Sequence, residues 1–284
     1  MKAESKFLRQ PLEFWANVKL ISQKIGYTER KTSTIKVPTI DEIRRVYAEL
    51  HLGPSRIIVS NAPTSFGTLL NEYFQHRATF LNKHVEPRLM DKKKAEELFH
   101  KLRNRLKPSC PLPMNKQSGP KKTYAFFTCI INMLIEAHSG GHECDYDPRE
   151  LTAFTEGSFP VRSLSRRIDG AFPSVVNPIA IWEIKEYYYT TTFGSRVADG
   201  VYETLLDGYE LDEIRRSLGR PLYHYLMVDD YNTWWNMGRS YLCRICDMLH
   251  MGLLTEALFG EEVVERVPQL VQEWTAQLEQ SRKK

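Results

Sequence analysis

The spacing of apolar residues in the second half of the chain alternates between a helical and a strand period. The run YAFFTCIINMLIEA predicts a buried helix over 124–137. The runs SRRIDGAF and IAIWEIKEYYY predict two strands, because the PSVVNP between them has a proline at each end and suits a turn. The pattern continues with a helix over 195–219, a strand at LYHYLMVDD, a helical stretch from 232 to about 259 and a closing helix over 261–279. This order predicts an α/β fold in which helices flank a short, mixed central β-sheet.

The first half of the chain has the pattern of a mostly helical region. Thr39 and Glu42 have the spacing of a capping box, and the helix that they begin stops at Gly53-Pro54. Further helices are predicted over 64–80 and 91–106. The first two helices could form a DNA-reading helix-turn-helix, but their long connection favours an ordinary helical pair.

A proline-rich segment, PSCPLPMNKQSGP, follows the helix that ends near residue 106. Four prolines within thirteen residues exclude a helix or a strand, so this segment is the best candidate for a domain boundary. We therefore predict a mostly helical, basic, DNA-binding region at 1–122 and an α/β domain at 123–284.

Charge is unevenly distributed along the chain. The net charge is +4, yet residues 83–122 hold twelve Lys and Arg against four Asp and Glu, a local balance of +8. Such a segment suits contact with a polyanion such as DNA; the alternative is a solvated basic helix and linker.

Composition and missing motifs exclude several classes of protein. With 42% hydrophobic and 26% charged residues, the chain of 284 residues has ordinary globular composition. It has neither a membrane-length apolar run nor a signal-peptide core near Met1, so we expect a cytoplasmic protein without membrane contact. Five irregularly spaced cysteines are a poor disulfide framework, and the CxxC of Cys243 and Cys246 suits core packing better than a zinc site. Phosphate-binding loops and dinucleotide fingerprints do not occur, so no nucleotide cofactor is expected.

Three side chains on the predicted strand pair have the chemistry of phosphodiester hydrolysis. Asp169 ends the first strand, while Glu183 and Lys185 lie two residues apart in the second and therefore point to the same face. Charges in a buried strand are unfavourable unless they are paired or bind a metal ion. Asp169, Glu183 and the carbonyl of Ile184 could ligate Mg²⁺, while Lys185 orients or helps to deprotonate a metal-bound water. The alternative is a surface hairpin on which Glu183 and Lys185 merely form an ion pair.

Asp169, thirteen intervening residues and Glu183-Ile-Lys185 resemble the signature of the PD-(D/E)XK nuclease superfamily, which includes many type II restriction endonucleases. The resemblance implies a restriction-endonuclease-like core at 123–229, with Mg²⁺, or Mn²⁺ as a substitute, as cofactor. It also implies a fourth candidate catalytic side chain on the preceding helix, for which Glu136 is the matching position, and a homodimer acting on both DNA strands. Two departures are Ile168, where the family pattern has Pro, and the absence of a RecB-type Gln-and-Tyr pattern on the next helix.

Four further residues are candidates for contacts with DNA phosphates. Arg166 and Arg167 precede Asp169, and guanidinium groups suit bidentate phosphate binding, although both could instead cap the strand in solvent. Ser195 and Arg196 begin the next helix, whose positive end could meet a phosphate; an ordinary N-cap is the preferred interpretation.

The sequence thus predicts a Mg²⁺-dependent endonuclease for double-stranded DNA, in the manner of a type II restriction enzyme. Two alternatives stay open. One is a defence or repair nuclease of the same superfamily that acts on single-stranded DNA or RNA, and the other is a nucleic-acid-binding protein without catalysis.

Overall fold

A five-stranded mixed sheet stands at the centre of the C-terminal part of the protein. The computed structural model describes residues 1–8, 10–29, 32, 34–115, 123–189 and 194–282. The strands are β1 (Ile58–Val59), β2 (Ala62–Pro63), β3 (Asp145–Tyr146), β4 (Ala153–Glu156), β5 (Phe159–Ser163), β6 (Gly170–Phe172), β7 (Ala180–Glu186), β8 (Tyr223–Asp229) and β9 (Glu256–Phe259).

Strand pairing in the central sheet follows the order β3-β6-β7-β8-β9. The pairs β3–β6 and β6–β7 are antiparallel, whereas β7–β8 and β8–β9 are parallel. Two further antiparallel pairs, β1–β2 and β4–β5, form small separate sheets. The α/β fold with a mixed central sheet is therefore observed.

Helices cover both faces of this sheet and also form the N-terminal part of the chain. They are α1 (Ser5–Leu8), α2 (Leu12–Ile25), α3 (Ile40–Glu49), α4 (Ser65–Phe80), α5 (Lys92–Leu106), α6 (Phe126–His138), α7 (Ser195–Leu218), α8 (Arg239–His250) and α9 (Glu262–Arg282). Shorter helical turns lie at Leu81–Val85, Glu86–Arg88 and Asn232–Met237.

Alternate residues of β7 and β8 supply two different hydrophobic cores. Trp182 and Met227 pack with α5, α6 and α9, whereas Leu226 and Val228 pack with α7 and α8 on the opposite face. This alternation is the strand period seen in the sequence. It divides the side chains of β7 into one set facing α6 and another set facing α7.

A glycine allows the two strands of the predicted pair to approach closely. Gly170 pairs with Trp182, and a Cβ atom at Gly170 would lie 2.1 Å from the indole ring. The same indole stacks on Trp274 of α9 at 5.6 Å between ring centroids. Trp182 therefore holds the β6–β7 pair against the closing helix, and it does so next to Asp169.

The N-terminal helices pack around their own core and are tied to α8 by a buried ion pair. Arg77 of α4 and Asp247 of α8 are almost inaccessible to solvent, and their charged groups lie 3.1 Å apart. Tyr73 donates a further hydrogen bond to Asp247, at 2.6 Å. The predicted capping box of Thr39 and Glu42 is present at the start of α3.

Helix α5 precedes the predicted domain division at 122/123, yet it packs against the central sheet. Residues of α5, among them Phe99 and Leu102, lie in the same core as Phe127 and Trp182, so this helix packs on the face of the central sheet. The prolines at the proposed boundary begin at Pro108, and residues 116–122 of the basic segment lie outside the described residues.

Three predictions of secondary structure were wrong. The first strand of the predicted pair begins only at Gly170, so Asp169 precedes this strand and does not end it. The helix expected from 232 to about 259 ends at His250, and Glu256–Phe259 forms the buried edge strand β9. Gly252, with a φ of 79°, follows the end of the helix, and a short apolar run such as EALF is compatible with either a helix or a buried strand. Between the predicted helix over 124–137 and the predicted strand SRRIDGAF, the polar sequence up to about residue 162 predicts only a loop, but the structure has β3 and the β4–β5 hairpin there. Among the described residues, no helix has the length and apolar character needed to cross a membrane.

The buried imidazole of His224 in β8 predicts a loss of stability in acid. Burial lowers its pKa from 6.5 to about 4, and its Nδ1 donates a hydrogen bond to the carbonyl of Leu253 at 2.9 Å. The unfolded chain binds this proton at a higher pH than the native chain does. The neutral imidazole of His224 therefore makes its full contribution to the free energy of unfolding above pH ~6.5. As the pH falls towards about 4, the free energy of unfolding decreases by about 3 kcal/mol through this group.

The pair of wild type and His224→Asn isolates this effect, because Asn keeps a donor near the position of Nδ1 but cannot be protonated. Denaturant unfolding at several pH values should show the variant losing about 3 kcal/mol less than wild type between pH 6.5 and 4. Parallel pH profiles for the two chains would contradict the assignment.

Candidate active site

Asp169 is held against the middle of β7 by a backbone hydrogen bond. It directly precedes β6, and because Gly170 pairs with Trp182, its side chain lies beside the next residues of β7. The Oδ2 atom accepts a hydrogen bond from the backbone N–H of Ile184 at 2.7 Å. The predicted meeting of Asp169 with the second strand is therefore observed.

Glu183 and Lys185 share the face of β7 that is turned to α7. The Lys185 ammonium donates to Glu183 Oε2 at 2.7 Å, and the Glu183 side chain is fully buried. Gly200 of α7 makes room for this lysine, since a Cβ atom there would lie 3.2 Å from Lys185 Cδ. The pair is thus internal and does not lie on an exposed hairpin.

Arg166 crosses from the loop before β6 into the same cluster. Its guanidinium lies 2.7 Å from Asp207 Oδ2, 3.2 Å from Glu203 Oε2 and 3.1 Å from Glu183 Oε1. Glu203 also lies 3.5 Å from the Lys185 ammonium. The role expected for Arg166, contact with a DNA phosphate, is therefore not what the structure shows, because carboxylates of the protein surround the guanidinium.

The cluster contains more negative than positive charge. Asp169, Glu183, Glu203 and Asp207 supply four carboxyl groups, while Arg166 and Lys185 supply two cations, a formal balance of −2 when all are ionised. Among the described residues, the buried oxygens Glu183 Oε1 and Asp207 Oδ1 have no hydrogen-bond partner, but Glu183 Oε1 is ion-paired with the Arg166 guanidinium at 3.1 Å.

Burial and mutual repulsion raise the pKa of two of these carboxyl groups. Burial first, and the charge of Glu183 second, raise the pKa of Asp169 to about 6 and that of Asp207 to about 7. Burial acts in the same direction on Glu183, but the charges of Lys185 and Arg166 outweigh it and hold the pKa of Glu183 below its usual value. Glu183 is therefore the carboxylate that stays ionised, and its charge acts on the other two.

Lys185 remains a cation in this environment. Burial disfavours the charged ammonium, but the charges of Glu183 and Asp169 outweigh it and raise the pKa of Lys185 above its usual value. The side chain therefore offers positive charge and hydrogen-bond donors, and it has no tendency to act as a base.

A cavity of about 410 Å³ opens on the other side of β7. Asp169 and Ile184 form part of its wall, whereas Glu183 and Lys185 do not line it. Asp169 is thus the residue that connects the cavity with the buried charge cluster. Oxygen donors near this junction are the carboxylates of Asp169 and Glu183 and the carbonyl of Ile184, although no group of three His, Cys, Asp or Glu among the described residues is arranged as a metal site.

The structure does not bring Glu136 together with the other three candidates. Its carboxylate accepts hydrogen bonds from the backbone N–H of Ser109, at 3.1 and 3.2 Å, and from the Ser109 hydroxyl. Glu136 therefore anchors the loop that follows α5, and none of its hydrogen bonds joins it to Asp169, Glu183 or Lys185.

The remaining candidates lie at the surface. Arg167 is exposed next to the buried Ile168. Ser195 is the first residue of α7 and not its N-cap, which is Gly194, and Arg196 is exposed while its carbonyl accepts a bond from Tyr187.

The paired cysteines of the CxxC lie in the core. Cys243 and Cys246 are buried within α8, and the Cys246 sulfur is 3.6 Å from His250 Nδ1. They pack among apolar side chains of the core between α8 and the sheet, which is the preferred interpretation from the sequence.

Sequence reasoning missed three carboxyl groups around β7. Glu203 and Asp207 are one helical turn apart on α7, a spacing that places both on one face and could have marked them. Strand alternation places Glu186 on the face opposite Lys185, which suggests only a structural role, but on that face Glu186 lines the cavity.

Two family models match this chain. A family model described as Domain of unknown function (DUF7687) matches residues 90–274, and one described as Domain of unknown function (DUF7690) matches residues 1–84. The chain belongs to the DUF7687 family. Within this DUF7687 protein, the first match includes α5 together with every residue of the charge cluster. Neither the curated proteins nor the solved structures contain a match.

Arg166 and Arg167 form a matched pair for testing the charge cluster. Arg166→Met should lower the free energy of unfolding by about 3–5 kcal/mol, because it leaves buried carboxylates without their counter-charge. Arg167→Met should change it by less than about 0.5 kcal/mol, since that side chain is exposed. Denaturant titration measures both, and similar losses for the two variants would contradict the cluster.

Proposed function

We propose that this DUF7687 protein is a Mg²⁺-dependent endonuclease that hydrolyses phosphodiester bonds in double-stranded DNA, in the manner of a type II restriction enzyme. The observation that carries the proposal is the cluster at β7. A buried Glu183 paired with Lys185 lies beside Asp169, in a group with two more carboxylates than cations. Few structural roles require so much buried negative charge, because each ion costs several kcal/mol to remove from water.

The order of elements supports the resemblance to the PD-(D/E)XK superfamily. Helix α6 is followed by the antiparallel strands β6 and β7, then by α7 and by β8, which is parallel to β7. Asp169 precedes the first strand of the pair and Glu183-Ile-Lys185 lies within the second. This agrees with the order expected for a restriction-endonuclease-like core.

The residues present fit a divalent cation. Carboxylate oxygens are the donors that Mg²⁺ prefers, and the cluster holds four carboxyl groups against two cations. Asp207 Oδ1 is in addition a buried oxygen without a hydrogen-bond partner among the described residues. Asp169, Glu183 and the carbonyl of Ile184 would hold the ion. When bound, Mg²⁺ lowers the pKa of a water molecule and neutralises charge on the phosphate.

The side chains of the protein have separate tasks in this proposal. Lys185 is held as a cation by Glu183 and supplies positive charge to the phosphate as negative charge develops in the transition state. Asp169 is fixed in direction by Ile184 N–H and presents its carboxylate at the cavity wall. Arg166 is a positioning residue, because it touches Glu183 and Asp207 and holds their orientation.

A basic surface next to the cavity is suited to the DNA backbone. Helix α5 and the residue after it expose seven cations, namely Lys92, Lys93, Lys94, Lys101, Arg103, Arg105 and Lys107. The ammonium of Lys92 lies 4.7 Å from the ring centroid of Tyr189, which lines the cavity. Duplex DNA lying along α5 would therefore pass the opening of this cavity. A homodimer would present two such sites, one to each DNA strand.

One observation favours a second candidate, a nucleic-acid-binding protein without catalysis. Glu183 already has Lys185 at one oxygen and Arg166 close to the other, so its charge is compensated without a metal ion. In that case the cluster would serve stability alone, and the basic helix α5 would still bind DNA.

Nuclease activity can be tested with plasmid DNA, linear duplex, single-stranded DNA and RNA, each incubated with Mg²⁺, Mn²⁺ or EDTA. Wild type should cut duplex DNA into discrete fragments with either metal ion and not with EDTA. Lys185→Ala and Glu183→Gln should reduce the rate by at least about 10²-fold, because each removes a group that acts on the transition state or the metal ion.

Glu143→Gln is the matched control, because this exposed acidic residue lies outside the cluster and should cut like wild type. Circular dichroism shows whether each variant is folded. Cleavage restricted to single strands or RNA would move the protein to the defence or repair class. Folded wild type that binds DNA but cuts no substrate would support the non-catalytic candidate and overturn the nuclease.

A further inference from the structure

The cavity beside Asp169 is larger than a metal ion and its water molecules require. It measures about 410 Å³ and lies between the loop after α5, the beginning of α6 and the end of β7. That volume is within the range of pockets that hold small organic ligands. Since Asp169 and Ile184 form one wall, any group that enters lies beside the proposed reaction site.

Glu186 provides a fixed polar group in the wall of this cavity. Its Oε2 accepts hydrogen bonds from the backbone N–H of Thr128 at 2.7 Å and from the Thr128 hydroxyl at 3.0 Å, at the first turn of α6. Its other oxygen, Oε1, is buried and has no hydrogen-bond partner among the described residues. A buried, oriented and unpartnered oxygen indicates a ligand that supplies the missing hydrogen bond.

The rest of the wall suits a flat aromatic ligand. Tyr146, Tyr187 and Tyr189 contribute aromatic rings, while Pro111 and Met114 contribute apolar surface. The hydroxyl groups of Tyr187 and Tyr189 donate to the carbonyls of Arg196 and Tyr124, and these bonds restrict the rings. Restricted aromatic rings with one polar group to read a hydrogen-bonding edge are what a nucleobase requires.

We propose that this cavity receives a nucleobase turned out of the DNA stack next to the bond that is cut, with Glu186 Oε1 accepting a hydrogen bond from the edge of the base. The proposal rests on the nuclease function for its biological setting. It assigns the substrate class more narrowly, since one nucleotide at the cut site is read in the extruded state. It also assigns Glu186 as the residue that discriminates between bases.

Binding of free nucleosides tests the cavity without DNA cleavage. Wild type is titrated with 2-aminopurine deoxyriboside in EDTA, and the quenching of its emission on stacking is followed. The four natural deoxynucleosides then compete for the site. We expect saturable quenching, with the best competitor at least about 10-fold stronger than the weakest. No saturable quenching by folded wild type would overturn the proposal.

Two variants connect the binding to this cavity. Glu186→Gln keeps an oxygen for Thr128 but places an amide donor where Oε1 accepts, so affinity for the preferred base should fall at least about 10-fold. Met114→Trp fills the cavity from its apolar wall and should abolish quenching without touching Glu186. Glu150→Gln, at an exposed position, should bind as wild type does. Unchanged binding by folded Glu186→Gln, or by Met114→Trp if the first variant does not fold, contradicts the assignment.

Failure of this proposal and failure of the nuclease have different signatures. Nucleosides contain no phosphodiester and EDTA removes metal ions, so binding is independent of cleavage. DNA cleavage without nucleoside binding overturns the base-binding cavity alone. Nucleoside binding by a protein that cuts no nucleic acid removes the nuclease and keeps the cavity.

Discussion

The buried negative charge of Glu183 is the constraint around which the second half of this protein is arranged. A carboxylate removed from solvent must be paired, and Lys185 and Arg166 do this from two directions. Lys185 is available because it lies two residues further along the same strand, on the same face. Arg166 comes from the loop that leads to β6, and its second partner, Asp207, ties that loop to α7. A single charge thus connects β7, the loop before β6 and the helix α7.

Close packing on the opposite face keeps this arrangement in register. Trp182 lies between Gly170 and Trp274, so sliding β6 along β7 would bring the Cβ atom of a neighbouring residue against the indole. That register brings Asp169 to the N–H of Ile184. Alternation along β7 places Ile184 on the side of the cavity and places Glu183 and Lys185 on the side of α7. If the nuclease proposal holds, the reaction site lies where these two faces meet, at Asp169.

Much of this arrangement follows from sequence pattern alone. The strand period of IAIWEIKEYYY places Glu183 and Lys185 on one face, and the spacing to Asp169 suggests a strand pair; the structure has both. The helices α3 to α7 begin and end close to their predicted bounds, because capping residues such as Thr39 and Asp91 act locally. Local rules also explain the failure at β9, whose four residues are compatible with either a helix or a strand until β8 provides a partner.

Contacts between distant segments could not be predicted. Arg166 has the same local setting as Arg167, and only the tertiary fold sends one into the cluster and leaves the other in solvent. Glu136 matched a family position, yet the loop after α5 captures it through Ser109. Glu203 and Asp207 come into contact with Arg166 only because α7 packs over β7 in the tertiary structure. Residue type and spacing predicted that Asp169, Glu183 and Lys185 lie close together, whereas the other side chains that contact them depend on packing.

The proposed nuclease requires that the carboxylates of Asp169 and Glu183 bind a divalent cation. Diffraction from crystals soaked in Mn²⁺ is a test of this site, since Mn²⁺ substitutes for Mg²⁺ and gives an anomalous signal. We expect a peak about 2.1 Å from carboxylate oxygens of both residues, and its loss in Glu183→Gln. If well-diffracting soaked crystals show no anomalous peak at this position, and Lys185 and Arg166 are still paired with Glu183, the proposed metal site is wrong.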